Sequence, residues 1–456
     1  MSKVIPGLAA FLAAASWATA QDVQQQRILE EERRREMDEQ ARTDAAFDQP
    51  FVWDVGGWIH SEFIQLDDAP DREQRTLRYL DLRLWAEARI SKRYVVYVRS
   101  QTEYTDFNSG DQFEGEDDNE LRAFHIDQAY VEGDLSSEND EITVRLGREF
   151  YSLGRGLLFN GLGYGGMGSW WSGRLGVRAF LAHSIIHDDD IDQSLPNNDD
   201  SRRAFGALEL NYRLDGRHRV YGMALVERDL NKEDPENALQ DWDYNANYLG
   251  AGARGQVAGD LHYALEGTYE FGSSIAAGST EAEDIRAFAF TVMLDYRPEA
   301  GLSPYFAVEY LFGSGDGDRG SVTDTASGNL AGTDDEGFLP FGFVQTGYSL
   351  FPRLSNIHIF RLGGSFRPLE SVEMFRYLEV GAFGYLYRKD EADAPISDSR
   401  SFLQDVDVGK EVDLFLRWRV ASDVGISINY GRFMPGDAYA EQQDRDFISA
   451  GMTYSF

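Results

Sequence analysis

The chain has 456 residues, a formal net charge of −35 and no cysteine. That acidity excludes nucleic acid as a partner, because the phosphate backbone binds basic surfaces. The missing thiols exclude a disulfide framework and any thiolate metal site.

Lys3, the apolar alanine-rich run Val4 to Trp17 and the small-residue site Ala18-Thr19-Ala20 read as a signal peptide over 1–20, with a mature chain from Gln21. The run is shorter than the ~20 residues of a spanning helix. Residues 21–47 are dense in Gln, Glu and Arg. Ile28, Leu29 and Met37 are too sparse for heptads, so this is expected to be a short charged periplasmic segment. The longest uncharged stretch, 156–173, carries seven glycines and the pair Trp170-Trp171, which suits strand and turn better than a membrane helix.

From residue 48 to 456 the pattern is alternating segments broken by turn residues. Strands are expected near 51–65, 76–90, 93–106, 121–134, 141–149, 159–170, 174–186, 203–213 and 217–229. More follow near 246–257, 260–272, 284–297, 303–313, 356–367, 375–388, 409–421, 424–434 and 446–456. Tight links such as Ser91-Lys92, Ser172-Gly173, Asp215-Gly216, Ala258-Gly259 and Ser422-Asp423 alternate with long acidic ones. That rhythm predicts an all-β, transmembrane, antiparallel up-and-down barrel of about eighteen strands, with short turns at one end and long loops at the other. A 13% aromatic content agrees with girdles at two membrane interfaces.

Three stretches, 106–120, 187–200 and 314–336, hold much of the negative charge and are read as solvated loops. Asp316-Gly317-Asp318-Arg319-Gly320 resembles a piece of a calcium loop but lacks the twelve-residue pattern, so no metal is expected. The longest link, 313–356, is apolar in its second half: Phe338, Leu339, Phe341, Phe343, Val344, Tyr348 and Phe351. It is expected either to fold into the mouth as a constriction or to stand above it as a hairpin.

Parity sorts the side chains, since charge on the lipid face costs ~2–4 kcal/mol at the midplane. On 76–90, Asp81, Arg83, Glu87 and Arg89 point inward and Leu80, Leu82 and Leu84 outward. On 409–421, Glu411, Asp413, Phe415, Arg417 and Arg419 point inward, with Val412, Leu414 and Leu416 outward. The same count turns Arg99, Glu103, Arg145, Glu149, Arg178, Arg254, Glu266, Glu270 and Arg361 to the lumen. Such a lumen is polar and carries both signs. It reads as a selectivity ladder for a charged solute, or as ion pairs that brace the wall.

The final strand places Ile448, Ala450, Met452, Tyr454 and Phe456 on one face and Ser449, Gly451, Thr453 and Ser455 on the other. Ending on an aromatic, it resembles the insertion signal of outer-membrane barrels, which implies the barrel assembly machinery and outer-membrane lipid as partners. Gly409-Lys410-Glu411-Val412-Asp413-Leu414 and Asn429-Tyr430-Gly431-Arg432-Phe433-Met434-Pro435-Gly436-Asp437 resemble the closing strands of the bacterial alginate export family. Leu146-Gly147-Arg148-Glu149 with Leu153-Gly154, then Ser314-Gly315-Asp316 and Leu350-Phe351-Pro352, are similar to further elements of it. The resemblance implies a monomeric eighteen-stranded outer-membrane porin that passes an anionic uronate polysaccharide along an arginine-rich lumen. Its motif positions are Arg145, Arg148, Arg417 and Arg419; Arg178, Arg254 and Arg361 come from parity alone. No cofactor is implied. A general or selective uptake porin for small polar solutes is the alternative. An enzyme is not expected, because the seven histidines are scattered and no G-x-S-x-G element occurs.

Overall fold

The computed structural model describes residues 51–67, 75–107, 120–184, 202–230, 243–275, 282–319 and 329–456. The expected signal peptide (1–20) and charged segment (21–47) lie outside them, as do most of the acidic stretches 106–120 and 187–200. Eighteen antiparallel strands form one sheet. In chain order they are β1 Phe51–Asp67, β2 Arg75–Ile90, β3 Tyr94–Phe107, β4 Glu120–Asp134, β5 Asp140–Leu153 and β6 Phe159–Ser172. Next come β7 Leu175–His183, β8 Arg203–Arg213, β9 His218–Asp229, β10 Tyr244–Ala258, β11 Leu261–Ile275 and β12 Ala282–Tyr296. The last are β13 Tyr305–Gly313, β14 Ile357–Phe366, β15 Leu378–Lys389, β16 Asp407–Arg419, β17 Val424–Pro435 and β18 Arg445–Ser455. Each expected strand has its counterpart, with differences confined to the ends.

Every strand pairs with its sequence neighbours, and β1 pairs with β18 from Trp58↔Ser455 to Asp67↔Asp446. Two further hydrogen bonds join Gly57 and Phe456, each amide donating to the other's carbonyl at 2.9 Å. The barrel is therefore closed, and no strand edge is left for lipid or another chain to meet. One end carries tight turns. Gly173 (φ 56°) and Gly259 (φ 51°) occupy left-handed positions there, which a side chain resists. The other end carries the long loops.

Burial runs opposite to that of a water-soluble sheet. Asp81, Arg203 and Glu227 are 0% exposed, whereas Leu181 is 71% and Leu362 64% exposed. Outward positions are apolar because their solvent is hydrocarbon, and inward positions are charged because they face each other and water. The lumen is not empty. An apolar cluster inside it joins Tyr151, Leu153, Leu157 and Leu158 of the β5–β6 hairpin to Phe338, Leu339 and Phe341 of the β13–β14 loop and to wall residues such as Phe205 and Tyr248.

Candidate functional site

The lumen wall over β1–β5 is a ladder of ion pairs. Arg83 Nε donates to Asp81 at 2.8 Å, and its Nη1 reaches Asp127 at 3.2 Å. Arg99 donates to the same Asp127 at 2.8 Å. The two guanidiniums lie 5.7 and 5.3 Å from the Trp58 ring centre. Arg145 stands opposite Glu132 in the β4–β5 register, bonds it, and lies 3.7 Å from Glu149. Arg145 is thus inward, as expected.

Arg148 is placed differently. It pairs in register with Tyr164, on the same face as Leu146 and Leu181, so it belongs to the outer face. Three residues from Arg145 is an odd step, and an odd step changes face. Its guanidinium lies 5.5 Å from the Tyr164 ring and donates to the Tyr164 hydroxyl at 3.3 Å.

Toward the turn end, β7–β10 bring four arginines together. Arg178 donates to Glu209 at 2.8 Å. Arg219 donates to Asn211 at 2.8 Å and lies 3.4 Å from the same Glu209. Arg254 is exposed and stands directly across from Arg219 in the register. Arg213 lies over the Trp171 ring at 4.3 Å, with Arg219 near the same ring at 5.1 Å. Arg178, Arg213 and Arg254 all repel the Arg219 charge. Among the described residues neither Arg213 nor Arg254 forms an ion pair. Arg417 and Arg419 also face inward near the turn end. Arg417 lies 4.9 Å from the Phe415 ring and opposite Glu379, and Arg419 donates to the Ser422 carbonyl at 3.2 Å.

Two segments enter the lumen from the loop end. The tip of the β5–β6 hairpin reaches the far wall. Gly154 N–H donates to Glu209 at 2.9 Å and Arg155 N–H to Glu266 at 2.8 Å. The Arg155 side chain donates to Thr291 at 2.7 Å and to Glu309 at 2.8 Å. Glu309 also accepts from Arg361 at 3.2 Å, and Arg361 lies 3.9 Å from the Phe383 ring centre. The long β13–β14 loop crosses above this hairpin. Leu339 N–H donates to Glu270 at 3.0 Å, and Phe341 exchanges backbone bonds with Leu158 and Asn160. Farther on, the amides of Tyr348, Ser349 and Leu350 donate to Glu411 at 2.6, 2.7 and 2.8 Å. Of the two expected arrangements, the loop takes the inward one, which is what its apolar residues require.

Glu411 and Asp413 face inward as parity required, yet Glu411 is filled by the loop's amides and Asp413 is 1% exposed. The calcium-like fragment is neutralised from within: Arg319 lies 3.5 Å from Asp316 and 2.7 Å from Asp335. Among the described residues no cluster of three or more His, Asp or Glu could hold a metal.

Four arginines were missing from the sequence reading. Arg203, Arg213 and Arg219 follow directly from parity on 203–213 and 217–229. Arg155 carries no such signal, because it lies in a link between strands.

The fold resembles that of several solved structures. Over 89% of this chain and 98% of theirs, it matches Pseudomonas aeruginosa OccK9 (OpdG) with a TM-score of 0.59 and OccK8 (OprE) with 0.54, each at 12% identity. Acinetobacter baumannii OccAB1 matches over 89% of this chain and 96% of its own, with a TM-score of 0.55 and 12% identity. At that identity the likeness is one of fold. No curated protein sequence matches the chain. The family model for alginate export matches residues 58–452. The chain accordingly belongs to the alginate export family, and its closed eighteen-stranded barrel has a porin's architecture.

Proposed function

We propose that this protein is a monomeric outer-membrane porin that passes an anionic polysaccharide of the uronate class from the periplasm outward, without chemical conversion. The observation that carries this reading is the group of Arg178, Arg213, Arg219 and Arg254 on adjoining strands at the turn end, with Glu209 the carboxylate that contacts two of them. Like charges held opposite one another destabilise a sheet. A polyanion passing over them offsets that cost, and its carboxylates suit the planar guanidinium fork. In outer-membrane barrels short turns face the periplasm, which puts this group where an exported chain arrives. The outward apolar positions suit lipid acyl chains, and the aromatic C-terminal strand suits recognition by the barrel assembly machinery.

A second reading has its own support. Arg83, Arg99, Arg145, Arg203 and Arg361 all contact carboxylates. A lumen so balanced suits a porin for small polar solutes with weak charge preference. The reversal potential of the refolded chain in a planar bilayer under a salt gradient separates the two. Export of a polyanion predicts anion preference, block by polyuronate added on the turn-end side, and loss of both in R213E/R254E. A wild-type potential near zero with no block would sink the polyanion reading.

A further inference from the structure

The loop that crosses the lumen is held in two different ways. Its first stretch is fixed by packing. Phe338, Leu339 and Phe341 are each at most 2% exposed, and Phe341 sits edge-on to Phe205 with ring centres 5.1 Å apart. Gly342 approaches the β5–β6 hairpin so closely that a Cβ would lie 2.0 Å from the Gly156 carbonyl oxygen. The second stretch, 344–350, adds hydrogen bonds to lighter packing: Leu350 joins the apolar cluster and Val344 and Tyr348 pack against it, but Val344, Gln345, Tyr348 and Ser349 are only partly buried.

Three of those bonds converge on one wall carboxylate; two others, Ser349 Oγ to the Arg445 carbonyl at 3.0 Å and the Tyr387 hydroxyl to the Thr346 carbonyl at 2.7 Å, run to other wall residues. Glu411 Oε1 accepts from the Tyr348 and Ser349 amides, and Oε2 from the Leu350 amide and, at 3.3 Å, the Tyr387 hydroxyl. Three consecutive backbone amides turned on one carboxylate make an anion-binding nest. Gly347, at φ 134°, provides the turn that aims them, and a Cβ there would lie 2.8 Å from Glu411 Oε1. Asp413 is the next residue on the same face of β16, so Glu411 is held beside a second buried carboxylate.

We infer that the Tyr348–Leu350 amides are a carboxylate-binding site which Glu411 occupies here, and that 344–350 is a gate latched by that contact. The ligand is a uronate carboxylate of the passing polymer, an assignment that rests on the proposed function; the gate does not depend on it. When 344–350 leaves the wall, the three amides turn to the lumen. Arg361 then loses Gln345, now 3.4 Å away, and keeps Glu309 at 3.2 Å. Glu411 thus stands where a substrate carboxylate binds.

The test uses the full chain in planar bilayers. Glu411→Gln removes the charge and sets an NH2 group against the amides. It should raise single-channel conductance severalfold and let sodium glucuronate block at severalfold lower concentration than in the wild type. Tyr348→Cys with Gly431→Cys provides a lock. The Tyr348 Cβ lies 2.8 Å from where a Gly431 Cβ would stand, so the arm must yield by about 1 Å to reach disulfide spacing. With no native cysteine to compete, oxidation should lower conductance and dithiothreitol should restore it. Wild-type conductance in E411Q together with redox-insensitive conductance in the cysteine pair would overturn the gate. Opening in E411Q with equal glucuronate block in both proteins would overturn the carboxylate site alone. A missing anion preference in the wild type would instead refute the proposed solute and leave the conductance comparison intact.

Discussion

Replacing Phe341 by alanine separates the stability of the crossing loop from that of the barrel. Phe341 is 2% exposed, lies 5.1 Å from Phe205 and 6.3 Å from Tyr248 between ring centres, and has the Arg203 guanidinium 5.5 Å from its ring. A buried Phe→Ala change costs about 3–5 kcal/mol, more where the site cannot collapse. Here the loop is tethered at β13 and β14 and keeps its backbone bonds to Leu158 and Asn160, so the site can close partly and the cost falls near the lower figure. About 3 kcal/mol is roughly a hundredfold in a local opening equilibrium. The strand ladder does not involve this side chain, so global unfolding should scarcely move. Amide hydrogen exchange on the chain in lipid nanodiscs reads both quantities. The amides of Leu339 and Phe341 should exchange about a hundredfold faster, with those of β8–β11 unchanged. Wild-type exchange at Leu339 and Phe341, or equal loosening of the strands, would refute the claim that Phe341 packing holds the loop without supporting the strand ladder.

Three other outcomes are expected. Reversing Arg417 and Arg419 should shift the reversal potential less than reversing Arg213 and Arg254, because Glu379 already faces Arg417 and Arg419 is bonded to the Ser422 carbonyl; the two double variants in one salt gradient decide it. In the β15–β16 loop, burial alone would raise the Asp398 carboxyl, but Arg445 and Arg400 hold it down at about 2. A depressed carboxyl stabilises the folded loop above its unfolded value of about 3.9 and loses that stability as pH falls toward the folded value. Proteolysis of the loop should therefore be flat above pH ~4 and rise between ~4 and ~2, and D398N should abolish that step. Removing Phe456 deletes both hydrogen bonds to Gly57 at the closing seam. It should lower the yield of folded, heat-modifiable barrel on a gel, and an unchanged yield would contradict that role.

Sequence alone determined the strands, their order and the face of most side chains. The reason is local: in a strand, neighbouring side chains point to opposite sides, so one hydrophobic alternation settles both the element and its orientation. Arg145, Arg178, Arg254, Arg361, Arg417 and Arg419 were placed inward by that rule and are found there. Arg148 was taken from a motif against the count, and the register returns it to the outer face. What the tertiary structure decided is which groups meet across the lumen. Arg155 reaches Glu309 and the Tyr348–Leu350 amides reach Glu411 only once the barrel has closed. Those contacts join residues far apart in the chain and depend on the curvature of the wall and the path of a loop. Alternation along a strand carries no information about either, so the sequence could mark Glu411 as inward but could not show that the protein's own backbone already fills it.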